Sequence, residues 1–225
     1  MNLQEGQLIA IIRDVAADEV SAVGRALLEG GIDYVEVSLS RLREGLACIS
    51  RLRADFGAEL RLGAGTVTSE AAMEDAHRAG AGYIITPAFD EDLVKAALKQ
   101  GLPIFPGVFS PAEVMRALRL GLKQLKLFPA GDLGPSYAAS LRGPFPEAEF
   151  IGVGGINLDN LAAFWKAGCR RFAVGSDLVP RGAAAVNSSA IQERACAYLR
   201  VIDTLLDGKA FYCIRDMDEE LGKRA

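Results

Sequence analysis

A single histidine, His77, occurs in the 225 residues of this sequence. That count excludes a His-rich metal site, and a His-based catalytic triad would have to use this one residue. His77 itself lies in AMEDAHRAG, which reads as a surface helix. Cysteine is scarce too. Cys48, Cys169, Cys196 and Cys213 stand too far apart for a CxxC pair, which excludes zinc-ribbon and dithiol redox sites. Four reduced thiols in a cytoplasmic setting are expected instead. No apolar run reaches the roughly 18 residues of a membrane span, and the opening MNLQEGQLIAIIRD lacks the basic flank of a signal peptide. No Lys/Arg run forms a basic stripe and the net charge is −4, so neither nucleic acid nor a membrane is expected as a partner. Low-complexity stretches and linkers are missing as well. One domain over residues 1–225 is expected, with 207–225 as a charged C-terminal extension.

What the chain does contain is alternation. Short apolar runs appear at Leu8–Ile12, Tyr34–Leu39, Leu60–Val67, Gly82–Thr86, Pro103–Phe105, Gln124–Phe128, Glu149–Val153 and Arg171–Val174. Their lengths and missing polar alternation suit strands buried on both faces. Helical stretches separate them. In the last, Ile191, Ala195, Tyr198, Ile202 and Leu205 fall on one helical face, and Leu158, Leu161 and Trp165 repeat the pattern. Gly30-Gly31, Gly80, Gly101, Gly121 and Gly168 each precede a run, where left-handed C-caps are expected. About eight such units predict an α/β fold of the (β/α)₈ TIM-barrel type. A doubly wound sheet would carry a Gly-rich loop after its first strand, whereas the first run here ends in IIRD. The stretch LVPRG, Leu178 to Gly182, resembles a tag-removal site, but its place after a strand-ending VGS marks it as native.

Barrel active sites form at the C-terminal ends of strands. Polar residues at those ends are Arg13, Glu36, Thr66 and Lys126, with Gly154-Gly155 and Gly175-Ser176 closing the last two runs. Lys126 lies between Leu125 and Leu127, on one strand face with Gln124 and Phe128. Desolvation there favours the neutral amine, a nucleophile toward a ketone. The alternative is a lysine that snorkels to the rim or neutralises Glu36. A carboxylate beside the amine can serve each proton transfer of imine chemistry. Thr66, in GAGT, is placed to hold a water or a substrate carboxylate. Two glycine-rich ends on adjacent late strands suggest a phosphate site.

In order and spacing, IAIIR, GGIDYVEVSLS, GAGTV, ITPAF, LPIFPGV, LKLFPA, LRGPFP, GVGGINLDN and VGSDLVP resemble the 2-keto-3-deoxy-6-phosphogluconate and 2-keto-3-deoxy-6-phosphogalactonate aldolases. That family includes 4-hydroxy-2-oxoglutarate aldolase, and the resemblance runs from about Leu8 to about Leu205. It implies a class I aldolase, a lyase without metal or other cofactor, usually a homotrimer, whose products from the phosphorylated acids are pyruvate and glyceraldehyde 3-phosphate. By the resemblance Lys126 is the Schiff-base lysine and Glu36 the general acid/base. Thr66 lies beside the pyruvate carboxylate or the catalytic water. Pro87 and Phe128 line the substrate pocket, and Gly154, Gly155, Gly175 and Ser176 hold the phosphate. Two positions depart from the phosphogluconate pattern. Ser40 replaces an Arg, so Arg13 takes over the substrate carboxylate. Val153 stands where those enzymes carry Thr, which leaves open whether the gluco or the galacto acid is preferred. The alternatives are cleavage of 4-hydroxy-2-oxoglutarate and a non-catalytic sugar-phosphate-binding barrel.

Overall fold

The computed structural model describes residues 1–182 and 188–208. Cys213 and most of the proposed extension, 209–225, lie outside the described residues. Nine strand segments form one all-parallel sheet, in the order β5-β4-β3-β2-β1-β9-β8-β7-β6. They are β1 (Leu8–Ile12), β2 (Tyr34–Ser38), β3 (Arg61–Gly65), β4 (Tyr83–Ile85), β5 (Ile104–Phe105), β6 (Gly107–Val108), β7 (Gln124–Leu127), β8 (Glu149–Val153) and β9 (Arg171–Val174). The expected eight runs become nine segments because the strand begun in the fifth run, Pro103–Phe105, resumes past Pro106 as β6. Proline has no N–H for the ladder, so β5 pairs with β4 and β6 with β7. The Pro106 carbonyl still accepts from the Lys126 N–H at 2.9 Å. Since β5 and β6 are consecutive, the sheet closes into a barrel at that proline.

Helices α1 (Val20–Glu29), α2 (Leu42–Phe56), α3 (Glu70–Ala79), α4 (Glu91–Lys99), α5 (Pro111–Arg119), α6 (Ala130–Leu133), α7 (Pro135–Arg142), α8 (Leu161–Lys166) and α9 (Ser188–Leu206) lie between or after the strands. Their starts are written in the sequence: Ser69 caps α3, Asp90 caps α4, and Ser110 with Glu113 forms a capping box on α5. The expected left-handed residues occur at Gly31, Gly80, Gly101, Gly121 and Gly168, while Gly30 stays right-handed at φ −79°. On α9, Ile191, Ala195, Tyr198 and Ile202 are buried as the periodicity predicts. Leu178 and Val179 of LVPRG are 1% and 2% exposed, so these two residues belong to the core, while Pro180, Arg181 and Gly182 are exposed. His77 is exposed, as expected, with Nδ1 3.1 Å from the Ala81 carbonyl.

Each strand presents one face to the helices and the other to the barrel interior. Ile9, Tyr34, Tyr83, Phe105, Ile151 and Ala173 fill the interior, a packed core in the manner of such barrels. Its floor is polar. Gln124, Glu149 and Arg171 stand at the first positions of β7, β8 and β9; Gln124 and Arg171 grip the N-terminal segment and Glu149 braces both. The Leu3 N–H donates to Gln124 Oε1 (2.8 Å), and the Leu3 carbonyl accepts from Gln124 Nε2 (2.8 Å) and Arg171 Nε (2.7 Å). Arg171 also pairs with Glu149 at 3.0 Å. Leu3 itself is fully buried, so the buried polar groups are satisfied and the lower opening is plugged.

Candidate active site

At the other end of the barrel, charge replaces hydrocarbon. Lys126 of β7 is 5% exposed and Glu36 of β2 is 1% exposed. Burial pulls the Lys126 amine below its ordinary 10.5; nearby Glu36 opposes this and Arg13 adds to it. Burial likewise lifts the Glu36 carboxyl above 4.5, against the pull of Lys126 and Arg13. Both groups are driven toward their neutral forms, because desolvation outweighs their mutual attraction. They form no ion pair within 4 Å, which removes the reading of a purely structural bridge. The amine instead lies 4.7 Å from the centre of the Phe128 ring.

Room for the carboxyl group comes from the neighbouring strand. A Cβ on Gly65 would stand 1.6 Å from Glu36 Oε1. Gly65→Ala is therefore expected to displace Glu36 and to destabilise the fold by about 1–3 kcal/mol through overpacking, with activity lost alongside. Chemical denaturation and an activity assay check this. An unchanged midpoint with unchanged turnover would place the carboxyl elsewhere.

Two buried polar atoms, Arg13 Nε and Glu36 Oε2, have no hydrogen-bond partner among the described residues. Unsatisfied buried groups are rare unless a ligand or water completes them. Thr66 follows β3 at φ +59°, a conformation β-branched residues avoid and functional sites collect. Its hydroxyl lies 3.1 Å from Ser38 Oγ, which donates to Ser40 Oγ at 3.2 Å.

Beyond this end the cavity opens over glycines. Gly154 and Gly155 follow β8 at φ +84° and +74°. The Gly131 N–H of α6 donates to the Gly154 carbonyl at 2.6 Å, and a Cβ on Gly131 would meet Gly155 Cα at 2.7 Å. Asn160 Nδ2 holds the Gly155 carbonyl at 2.7 Å, and Asn157 Oδ1 accepts the Asp159 and Asn160 N–H groups. After β9, the Gly175 carbonyl accepts from Leu178 and Val179, both at 2.8 Å, which coils Gly175-Ser176 into a tight turn.

One cavity of about 530 Å³ joins the two ends. Arg13, Glu36, Thr66, Pro87, Lys126, Phe128, Val153, Gly154, Gly155, Gly175 and Ser176 all line it. Asp132, Asn157, Asp177 and Arg181 line it too and escaped the sequence reading. Asp132 and Asn157 sit in the segments that follow strands, where extending the search a few residues past each strand end would have found them. Arg181 was obscured by the tag-like LVPRG. Asp177 is turned to a structural task, gripped by Arg194 Nη2 and by the Tyr198 hydroxyl. A smaller cavity of about 200 Å³, between the loops after β1 and β2, contains neither a buried amine nor a buried carboxylate partner for one.

Comparison with known proteins follows the same line. The family model described as KDPG and KHG aldolase matches residues 1–193. The 2-dehydro-3-deoxy-phosphogluconate aldolase of Pseudomonas aeruginosa is 36% identical over 162 residues, 72% of this chain and 73% of that protein. The probable 2-dehydro-3-deoxy-6-phosphogalactonate aldolase of Rhizobium meliloti is 32% identical over 206 residues, 91% of this chain and 95% of that one. Among solved structures, the Legionella pneumophila KDPG aldolase, with pyruvate captured at low pH as a covalent carbinolamine intermediate, aligns at a TM-score of 0.80. It is 30% identical, over 87% of this chain and 98% of that one.

Proposed function

This chain belongs to the KDPG and KHG aldolase family, and from that premise we propose that Lys126 forms a Schiff base with the pyruvate half of a 2-keto-3-deoxy-6-phospho sugar acid. The chain is an aldolase and thus a lyase. The observation that supports the mechanism is the buried Lys126 amine, unpaired with Glu36, at the closed end of a cavity whose open end is rimmed by glycines. The amine attacks C2 of the acid, and loss of water gives the iminium. Glu36 takes the proton of the C4 hydroxyl as the C3–C4 bond breaks, and the bonding pair flows into the iminium to make an enamine. Glyceraldehyde 3-phosphate leaves. Protonation at C3 and hydrolysis then release pyruvate and restore the lysine. The iminium is the electron sink, so the reaction needs no cofactor.

Arg13 and Thr66 are assigned to the substrate carboxylate, Pro87, Phe128 and Val153 to the walls around the carbon chain, and Gly154, Gly155, Gly175 and Ser176 to the phosphate. One domain carries the whole reaction. The shorter acid 4-hydroxy-2-oxoglutarate is the second substrate, because the pyruvate end is complete without the phosphate end. A homotrimer is proposed on the family likeness. A cytoplasmic setting is supported by the free thiols of Cys48, Cys169 and Cys196.

The test is reduction with borohydride in the presence of pyruvate. The adduct mass is expected on the peptide carrying LKLFPA. Labelling at a different lysine, or none, sinks the mechanism.

Val153 bears on the choice of epimer. It is 2% exposed and lines the cavity, and its side chain can neither give nor take a hydrogen bond. Weak discrimination between gluco and galacto acids, or a galacto preference, is expected. Val153→Thr should move the kcat/KM ratio toward the gluco epimer by about tenfold, a hydroxyl's contribution where a substrate oxygen would otherwise go unpaired. A wild-type gluco preference already above about a thousandfold would assign selectivity to other residues.

A further inference from the structure

The glycine-rimmed end of the cavity has backbone N–H groups but an awkward charge. Asp132 and Asp177 both line it. Asp177 is neutralised by Arg194 at 2.7 Å. Among the described residues no side chain is bonded to the Asp132 carboxylate, and it remains as a negative group beside the Gly131–Gly155 contact. A phosphate monoester brings close to two further negative charges. Neutral amides orient such an anion, but a carboxylate in the same cavity repels it unless a cation is near.

Three basic side chains line the cavity among the described residues: Arg13, Lys126 and Arg181. The first two act on one another and on Glu36, which fixes them at the closed end. Arg181 does not enter that cluster. It follows the turn in which Gly175 holds Leu178 and Val179, after the exposed Pro180. Next to it Gly182, at φ +71°, passes over the loop after β1, where a Cβ would lie 3.5 Å from the Asp14 carbonyl. The backbone is thus anchored on the N-terminal side of Arg181 and runs close to the loop after β1 on the other. Its side chain is exposed and forms no ion pair or hydrogen bond among the described residues, in contrast to Arg194. A fork of N–H donors that reaches a cavity and is committed to no partner there suits a terminal phosphate.

We propose that Arg181 is a positioning residue that pairs with the distal phosphate of the substrate, offsets Asp132, and sets the preference for phosphorylated over unphosphorylated acids. This rests on the reaction assigned above. The test compares the full-length protein with Arg181→Ala and Arg181→Lys. Steady-state kinetics are measured on a 2-keto-3-deoxy-6-phospho acid and on 4-hydroxy-2-oxoglutarate. Binding of inorganic phosphate is measured by calorimetry, without turnover.

Arg181→Ala is expected to raise KM for the phosphorylated acid about ten- to hundredfold more than KM for 4-hydroxy-2-oxoglutarate, with the loss in KM rather than kcat, since a charged hydrogen bond present in ground and transition states alike is removed. Phosphate affinity should fall by a like factor, and Arg181→Lys should recover part of it, having the charge but not the fork. Equal changes for both substrates, or unchanged phosphate binding, overturn the proposal and leave the glycine N–H groups as sufficient. Failure of pyruvate trapping in the unsubstituted protein instead overturns the imine mechanism. The phosphate measurement does not depend on that mechanism, so the two failures are distinct.

Discussion

Lys126→Ala is expected to lower turnover by about 10⁴-fold or more, since no other group in the cavity can form the covalent electron sink. The barrel should remain folded. Loss of the ammonium removes the main force that lowers the Glu36 pKa, which burial has already raised. Glu36 then holds its proton more firmly, which reduces the cost of burying its carboxyl group without the amine. Lys126→Arg separates charge from chemistry. A guanidinium keeps the positive charge but does not deprotonate in a protein, so it should be as inactive as alanine. Circular dichroism with single-turnover assays checks both variants. Residual turnover above about one part in a hundred in either would mean that the reaction does not pass through this amine.

Glu36→Gln should cut kcat by about 10²–10⁴-fold, the range of general acid–base contributions, with a much smaller change in KM. An amide keeps the shape in the space left by Gly65 but carries no proton. A drop of less than about tenfold would assign proton transfer to water or another group. The pH dependence has a definite sign. Burial raises Glu36 above 4.5, so its limb in kcat/KM lies above the ordinary carboxylate position; burial lowers Lys126 below 10.5, so free amine appears at lower pH. Glutamine should erase the first limb and leave the second. Stability follows the same linkage. The contribution tied to the raised carboxyl is fully present below pH 4.5 and is lost as pH rises through the folded value. The amide of the variant does not titrate, so the thermal midpoint of Glu36→Gln should gain on wild type as pH increases.

Much of this site was legible because barrel strands are so plain. A lysine between two leucines and a glutamate inside YVEVS stand out against strands buried on both faces. The glycine pairs were legible for a related reason, since late strand ends are where such barrels bind anions. What could not be read depends on the third dimension. The Pro103–Phe105 run stopped before Pro106 and gave no sign that Gly107–Val108 continues the strand on its other side. Gly65 fell inside the Leu60–Val67 run as one small residue among others, and its service to Glu36 emerges only from the β2–β3 register, which pairs Ser38 with Gly65. Asp132, in the single turn of α6, and Arg181, in a loop, have no periodicity to mark them, because such short segments reach a cavity by turns rather than by strand alternation.

The plugged floor dictates an order of events. Leu3, held by Gln124 and Arg171, stops the barrel at one end, so Lys126 sits at the bottom of a well with a single mouth. Substrate descends with its keto group leading and its phosphate trailing. On the imine mechanism proposed above, cleavage leaves the aldehyde nearest the opening while the pyruvate carbons are still tethered below it. Departure is therefore last in, first out: aldehyde, then pyruvate. In the synthetic direction the queue reverses, and an aldehyde that arrives first blocks the shaft against pyruvate. Product inhibition should carry that signature, with pyruvate competitive against the sugar acid and glyceraldehyde 3-phosphate not.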